Sequence, residues 1–349
     1  MNNDDGTSER WVTLLADNTR RGGTQGDRVK APQEVRWKVA LPDSIASSPV
    51  LGGELLYVTS QEGRLYALEA GTGRERWKFE ASAGIHSTPS LHRTLVLFGS
   101  DDGMVYAVDQ RSGRAVWKFA AEGPVWVSPV VLEGMVCFGS GDSRLYALNV
   151  ETGAPVWRRT LGGRIYSTAY LTEEDVFCGC SDGKVYALER ASGGVKWSAQ
   201  TEAGIISSPA VLGDTVYIGS EDYFFYALDA RNGRLRWKCR TGMGIASSPA
   251  IWDQTVYVGS KDGYLYALDC SSGTFHWKAD ASRLLTAPPV AGPEIVCVQS
   301  WRGVTHAFSP RDGKELWTAS LGASLQSAPI LTGQVIYLIN SYGLVYALD

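Results

Sequence analysis

The stretch YALDARNGRLRWK, residues 226–238, returns forty residues later as YALDCSSGTFHWK, residues 266–278. The same pattern recurs along the 349-residue chain, and each copy carries one tryptophan at the same place. These tryptophans are Trp37, Trp77, Trp117, Trp157, Trp197, Trp237, Trp277 and Trp317, with no insertion or deletion between them. A repeat of about 40 to 45 residues built from short strands is typical of a propeller or a solenoid.

One repeat, residues 205–238, contains four strand signals separated by turn signals. The segments IISSPAVL, TVYIGS, FFYALD and RLRWKC read as strands, and Gly-Asp, Glu-Asp and Asn-Gly pairs lie between them. The glycine of the third turn, Gly233, recurs in seven repeats, as expected where the backbone needs a positive φ. Four short antiparallel strands per repeat predict a propeller blade, and closing a ring of blades protects the strand edges.

The two ends of the chain predict how the ring closes. Residues 325–349 supply only three strands, and the missing fourth lies in QEVRWKVAL, residues 33–41. We therefore predict an all-β fold over residues 33–349, an eight-bladed β-propeller of four-stranded antiparallel blades. Its N-terminal strand should complete the last blade. Residues 1–32 form a polar N-terminal segment that either docks on the ring or remains disordered.

Composition excludes several classes of function. The 33 basic and 37 acidic residues give a net charge of −4, which argues against a nucleic-acid partner. No apolar run reaches the roughly 18 residues of a membrane helix, so we expect no membrane partner. The N-terminus lacks a basic start followed by an apolar run, which predicts a cytoplasmic protein. The six cysteines and four histidines do not follow disulfide or zinc spacings, so no metal site is expected.

The segment from Ala227 to Gly233, followed by Trp237, resembles the repeat of the pyrroloquinoline-quinone-type, or quinoprotein-like, β-propeller family. Those repeats read roughly A-x-D-x-x-T-G-x-x-x-W, and the resemblance recurs in every blade. It implies that the tryptophan packs between neighbouring blades. Quinoprotein dehydrogenases of this family also use an adjacent cysteine pair, a calcium ion and a catalytic aspartate. This chain has no Cys-Cys dipeptide and no insertions that could cover a flat cofactor, so we expect no cofactor.

The repeats differ most at the start of the innermost strand, which a propeller presents at the mouth of its channel. Loops on this rim usually carry the function of such a scaffold. The frame around the position is nearly constant, but the residue itself changes from blade to blade. In order it is Ala46, His86, Trp126, Tyr166, Ile206, Ala246, Thr286 and Gln326.

The turn between the second and third strands lies on the same rim. Six blades carry an acidic residue there, which we interpret as a cap of its own turn. Blade 7 has Trp301 and Arg302 instead, and blade 8 has Tyr342. The entering loops add Arg164 in blade 4 and Arg283 in blade 7.

Two functions follow from this divergent rim. The first is a non-catalytic binding platform for a protein or for a small anionic or aromatic ligand, because arginines beside aromatic rings suit such groups. Its binding residues would be Trp126, Arg164, Arg283, Trp301, Arg302, Gln326 and Tyr342. The alternative is a cofactor-independent enzyme of the lyase, isomerase or cyclase type, with His86 or Tyr166 transferring protons at the channel mouth. The residues favour the platform, because no nucleophile, phosphate or metal motif supports catalysis.

Overall fold

The computed structural model describes residues 34–282, 284–322, 327–332 and 335–349. These residues form eight four-stranded antiparallel sheets, so the prediction of an eight-bladed β-propeller is confirmed. Within the described ranges no helix is long and apolar enough to span a membrane. We number the strands β1 to β32 and the blades 1 to 8 along the chain.

Each of the first four blades consists of four consecutive strands. Blade 1 contains β2 Val50–Gly52, β3 Leu55–Thr59, β4 Arg64–Glu69 and β5 Glu75–Glu80. Blade 2 contains β6 Ser90–His92, β7 Leu95–Gly99, β8 Met104–Asp109 and β9 Ala115–Ala120. Blade 3 contains β10 Val130–Leu132, β11 Met135–Gly139, β12 Arg144–Asn149 and β13 Pro155–Thr160. Blade 4 contains β14 Tyr170–Leu171, β15 Asp175–Gly179, β16 Lys184–Glu189 and β17 Val195–Gln200.

The next three blades repeat this order, and the last blade combines both ends of the chain. Blade 5 contains β18 Ala210–Leu212, β19 Thr215–Gly219, β20 Phe224–Asp229 and β21 Leu235–Arg240. Blade 6 contains β22 Ala250–Trp252, β23 Thr255–Gly259, β24 Tyr264–Asp269 and β25 Phe275–Asp280. Blade 7 contains β26 Val290–Ala291, β27 Val296–Gln299, β28 Val304–Phe308 and β29 Glu315–Ser320. Blade 8 contains β30 Ile330–Leu331, β31 Ile336–Ile339, β32 Leu344–Leu348 and β1 Val35–Ala40.

The ring closes through β1, as the sequence predicts. This strand pairs antiparallel with β32, and Trp37 lies opposite Ala347 in the ladder. An ion pair between Arg36 Nε and Asp349 Oδ2, at 2.7 Å, adds to the same junction. The N-terminal strand is therefore the outermost strand of the last blade.

The innermost strands are shorter than their sequence predicts. In blade 5 the segment IISSPAVL forms a strand only at Ala210–Leu212. Ser207 replaces part of the missing ladder, because its Oγ accepts a hydrogen bond from the backbone N–H of Gly219 at 3.3 Å. The proline at position 209 has no N–H to donate, so the ladder cannot extend through it.

The recurring tryptophan packs against the next blade, as the family resemblance implies, and in seven blades its Nε1 also donates to a carbonyl oxygen there. Trp317 Nε1 has no such partner among the described residues. Trp237 donates from Nε1 to the carbonyl oxygen of Cys270 at 3.0 Å. Its ring lies against Gly273, which has a φ of 70° and where an added Cβ would lie 2.5 Å from the indole. Each blade-to-blade interface is also filled by large apolar side chains, such as Tyr57 and Phe98 between blades 1 and 2. Full burial of one such side chain contributes about 1.5–3 kcal/mol, so the core that holds the rim in place lies between blades.

Candidate functional site

The rim is built by the turn between the second and third strands of each blade and by the loop that enters the next one. In blade 2, Asp102 Oδ1 accepts a hydrogen bond from the backbone N–H of Met104 at 2.8 Å. Its Oδ2 accepts from the Tyr106 hydroxyl at 2.6 Å and from the N–H of Ser82 at 3.2 Å. Burial and the neighbouring Asp102 carboxylate raise the pKa of Tyr106 to about 12. The acidic residue therefore caps its own turn, as predicted, and also holds the entering loop.

The same tyrosine-to-aspartate hydrogen bond recurs in blades 3 to 6. The donor and acceptor pairs are Tyr146 with Asp142, Tyr186 with Asp182, Tyr226 with Asp222 and Tyr266 with Asp262. In blade 1 the carboxylate comes from the entering loop, because Asp43 accepts from the Tyr66 hydroxyl at 2.7 Å. Glu62 of blade 1 does not cap its own turn, contrary to the prediction, but accepts from the N–H of Ser44 at 2.9 Å. The frame of the rim is thus the same in blades 2 to 6 and is built differently in blade 1.

Blades 7 and 8 lack this pair for different reasons. In blade 7 both partners change together, since Arg302 replaces the aspartate and His306 replaces the tyrosine. His306 is buried, stacks on Phe308 and places Nδ1 2.8 Å from Glu315 Oε1. In blade 8, Asn340 caps the turn by accepting the N–H of Tyr342 at 3.1 Å. Arg302 and Tyr342 are consequently released from the frame and exposed.

Three of the predicted site residues come together in blades 3 and 4. The rings of Trp126 and Tyr166 stack with their centroids 5.3 Å apart and their planes 13° from parallel. Arg164 Nη1 lies 3.5 Å from the Tyr166 hydroxyl oxygen. Both rings are half-buried, whereas Arg164 is exposed. With His86 on the adjacent blade, these residues form a surface that we call the rim arc: His86, Trp126, Arg164 and Tyr166.

The variable residue at the channel mouth contacts the turn residue that lies fifteen positions later in the same blade. Trp126 packs its six-membered ring over Gly141, where an added Cβ would lie 2.8 Å from the indole. In blade 2 the same pair of positions holds His86 and Asp101, with His86 Nε2 3.2 Å from Asp101 Oδ2. The turn residue therefore supports the rim residue in both blades, so the arc is fixed before any partner arrives.

The other candidates do not join the rim arc. Trp301, Arg302 and Tyr342 lie on blades 7 and 8, across the ring from blades 3 and 4. Trp301 is 46% exposed and Tyr342 is 73% exposed. Arg283 and Gln326 lie outside the described residues. The described candidates thus lie on two sides of the ring, in the rim arc and at exposed positions of blades 7 and 8.

Sequence reasoning missed one prominent rim residue. Tyr223 has a φ of 75° in a turn position that glycine occupies with positive φ in six other blades. A side chain in this region of φ and ψ is strained, and such strain often accompanies function. Tyr223 is 42% exposed and Met243 is 44% exposed. The carbonyl oxygens of both residues lie within hydrogen-bond distance of Thr241 Oγ1, at 3.0 and 2.6 Å. The signal was present in the sequence as a glycine replaced by tyrosine.

The chemistry that the rim arc can perform is limited by what lies beneath it. The Cys180 thiol donates to the carbonyl oxygen of Gly163 at 3.2 Å, one residue before Arg164. Burial raises the pKa of this thiol to about 12, so it is not a thiolate nucleophile at neutral pH. Among the described residues, no group of three or more histidine, cysteine or acidic side chains is placed to hold a metal ion. The arc offers aromatic surface, a histidine and a guanidinium.

Comparison with known proteins relates the chain to one family. The family model described as "Outer membrane protein assembly factor BamB" matches residues 27–161, 101–244 and 225–349. No curated protein matches the chain in sequence.

Several solved structures share the fold. BamB from Moraxella catarrhalis is 17% identical, with a TM-score of 0.80 over 90% of this chain and 99% of that one. The quinohemoprotein alcohol dehydrogenase from Comamonas testosteroni is 15% identical, with a TM-score of 0.82 over 97% of this chain and 80% of that one. A computationally designed protein, Ika8, is 15% identical, with a TM-score of 0.79 over 88% and 97% of the two chains. At these identities the likeness concerns the fold alone.

Proposed function

This chain belongs to the family described as outer membrane protein assembly factor BamB, and on that premise we propose that it is a non-catalytic platform that binds a protein partner through the rim arc. The observation that supports this proposal is the stack of Trp126 on Tyr166 beside the exposed guanidinium of Arg164. Tryptophan, tyrosine and arginine are the residues that contribute most binding energy at protein interfaces. The description of the family, which names an assembly factor, agrees with a protein as the partner.

The rim arc is prepared for binding without a large entropic cost. Trp126 is held between the Tyr166 ring and Gly141, so its rotamer is fixed in the free protein. Side chains that are already ordered lose less freedom when a partner docks. The stack also covers one face of the indole, which favours contacts with its exposed parts over insertion of a planar small molecule between the two rings.

The catalytic alternative has weaker support. His86 contacts Asp101, whereas Tyr166 contacts Trp126 and Arg164. The two candidates for proton transfer therefore have no shared neighbour among these contacts. The buried thiol of Cys180 is not a nucleophile at neutral pH, as described above. We therefore retain the platform as the function of the rim.

A cytoplasmic location remains a prediction. The six cysteines are all buried free thiols, which is usual for proteins of reducing compartments. The family description, in contrast, concerns outer-membrane proteins. Fractionation of the source cells, with the protein detected by antibody, checks the location directly.

The platform is tested by comparing two matched tryptophan variants on opposite sides of the rim. Immobilised wild-type protein, Trp126→Ala and Trp301→Ala are each exposed to extract from the source cells, and the retained proteins are compared by quantitative mass spectrometry. We expect a partner that the wild type and Trp301→Ala retain equally and that Trp126→Ala loses at least ten-fold. Equal retention by Trp126→Ala, in a variant with unchanged melting temperature, would contradict the proposal.

A further inference from the structure

A groove runs along the outside of the ring between blades 5 and 6. It has a volume of about 760 Å³ and lies against Arg240, Tyr264 and Phe275. Its wall is largely aromatic, because the Tyr266 ring lies 6.3 Å from that of Tyr264 and 5.8 Å from that of Phe275. We call it the blade 6 groove. It lies on the outer wall of the ring and is separate from the rim arc.

No other blade carries this combination of residues. The position of Phe275 is occupied elsewhere by Val35, Glu75, Ala115, Pro155, Val195, Leu235 and Glu315. The position of Tyr264 is occupied elsewhere by Arg64, Met104, Arg144, Lys184, Phe224, Val304 and Leu344. Blade 6 alone therefore has aromatic rings at both positions. Phe275 is also 49% exposed, so its ring contributes apolar surface to the groove that the fold itself leaves open.

Two cationic side chains, Arg240 and Lys278, line the groove. Lys278 Nζ lies 4.8 Å from the centroid of the Tyr264 ring, and Arg240 lines the same space. Neither cation forms an ion pair with another described residue. An acidic group entering the groove would meet both of them, and guanidinium and ammonium groups are well suited to bind a carboxylate.

Asp262 is a carboxylate that lines the groove, and both of its oxygens accept hydrogen bonds from within the protein. Asp262 Oδ1 accepts the N–H of Tyr264 at 3.0 Å, and its Oδ2 accepts the Tyr266 hydroxyl at 2.7 Å and the N–H of Gly242 at 2.7 Å. Asp280, at the end of β25, accepts the N–H of Ser282 at 2.7 Å. Because the oxygens of Asp262 already accept these hydrogen bonds, Arg240 and Lys278 are the charged groups that can bind a ligand, and they favour an acidic one.

The groove borders an open strand edge. Strand β25 is the outermost strand of blade 6 and pairs on one side only, with β24. A strand with a free edge can accept a further strand, whose main-chain hydrogen bonds supply affinity while its alternate side chains supply specificity. Side chains on one face of such an added strand would point towards Phe275 and Lys278.

From these observations we infer that the blade 6 groove is a second docking site, which binds an extended acidic and aromatic segment of a partner protein by strand addition to β25. The aromatic side chain of the segment packs between Tyr264 and Phe275, and its acidic side chain meets Arg240 and Lys278. This site acts independently of the rim arc. A platform with both sites can hold two proteins, or two parts of one protein, at a fixed separation.

The experiment begins with a phage-displayed library of random twelve-residue peptides selected on the intact protein. We expect enrichment of sequences that alternate acidic with aromatic or β-branched residues, and a synthetic peptide of the enriched sequence that binds saturably in fluorescence anisotropy. Phe275→Glu introduces the residue that blades 1 and 7 carry at the same position and should weaken binding at least ten-fold. The matched control is Leu235→Glu on blade 5, an equally exposed position that should leave the affinity unchanged.

Hydrogen–deuterium exchange then distinguishes strand addition from side-chain contact alone. The bound peptide should slow exchange of the outward amides of residues 275–280, and replacing a central residue of the peptide by proline should abolish binding. Lys278→Glu should weaken binding at least five-fold, whereas Trp126→Ala should not alter it. Failure to enrich any peptide, equal loss in Leu235→Glu, or undiminished binding to Phe275→Glu would each overturn the inference without bearing on the rim arc.

Discussion

The backbone N–H of Ser48 donates a hydrogen bond to Oγ1 of Thr88, forty residues later in the next blade, at 3.1 Å. The same contact joins the innermost segments of successive blades at five of the eight junctions, and we call this set of contacts the polar belt. The further pairs are Thr88 N–H to Ser128 Oγ, Thr168 N–H to Ser208 Oγ, Ser208 N–H to Ser248 Oγ and Ala328 N–H to Ser48 Oγ. The ring is thus held by a polar belt on the inside and by tryptophans on the outside.

The belt is interrupted on both sides of blade 7, because the proline at position 288 has no hydroxyl to accept from the N–H of Ser248. Position 288 is proline, which has no N–H to donate, and position 328, the one that would accept from it, is alanine. Loss of the donor is thus accompanied by loss of the acceptor. The contact is present again where the ring closes, because the N–H of Ala328 in blade 8 donates to Ser48 Oγ in blade 1 at 2.9 Å.

Removal of the Ser48 hydroxyl should destabilise this junction. In Ser48→Ala the N–H of Ala328, whose residue is only 1% exposed, would lose its acceptor. A buried donor left without a partner costs about 1–3 kcal/mol, so we expect a loss of that size in the free energy of unfolding by urea. Ser48→Thr keeps the acceptor and uses the residue found at position 88, so it should be close to wild type. Equal stability of all three proteins would show that the belt contributes nothing to closure.

The packing role of the recurring glycine can be tested by comparing it with a second glycine that also has a positive φ but has open space around it. Gly233 has a φ of 71° and an added Cβ would lie 2.5 Å from the Trp197 ring. Gly213 has a φ of 55° with no atom within 4 Å of that position. Gly213→Ala should cost the backbone strain of about 1–2 kcal/mol, less the about 0.5–1 kcal/mol that the reduced freedom of the unfolded chain returns. Gly233→Ala should cost clearly more, because the indole must also move; equal losses in urea unfolding would contradict a packing role.

The repeat made the architecture predictable, whereas the grouping of the site residues was not. Forty-residue spacing fixes equivalent positions in every blade, so the closing strand followed from the pattern, and the family resemblance added the packing of the tryptophan between blades. The pattern does not show which side chains of different blades contact one another. It placed Trp126 and Trp301 on the same rim but could not tell that Trp126 stacks on Tyr166, whereas Trp301 lies across the ring. Tyr223 was not among the predicted site residues, because the prediction considered the side chains of the turn and not the positive φ that this position requires.

Alkaline pH should unfold the ring through its buried tyrosines. Burial and the Asp102 carboxylate raise the pKa of Tyr106 to about 12, and burial raises that of Tyr257 to about 12. Because the ordinary value is about 10, the unfolded chain loses these protons first. The stabilisation from the protonated phenols is complete below pH 10 and is lost as the pH rises towards 12.

This pH dependence is measured by following tyrosinate absorbance near 295 nm together with tryptophan fluorescence. The difference between wild type and Tyr106→Phe reports the titration of Tyr106 alone, which should coincide with the loss of tryptophan packing. Ionisation of Tyr106 near pH 10 in a protein whose tryptophan fluorescence is still native would contradict the assignment.

The positive φ of Tyr223 should lower the stability of the protein. Its φ of 75° is unfavourable for any residue with a Cβ, and six blades have glycine there. Tyr223→Gly relieves strain of about 1–2 kcal/mol but adds freedom to the unfolded chain worth about 0.5–1 kcal/mol, so the net gain in stability should be roughly 0.5–1 kcal/mol. Tyr223→Ala keeps the strain and should gain nothing, which separates the backbone effect from removal of the exposed ring. Destabilisation in Tyr223→Gly would mean that the phenol packs on the rim in solution, and the strained turn would then need no functional explanation.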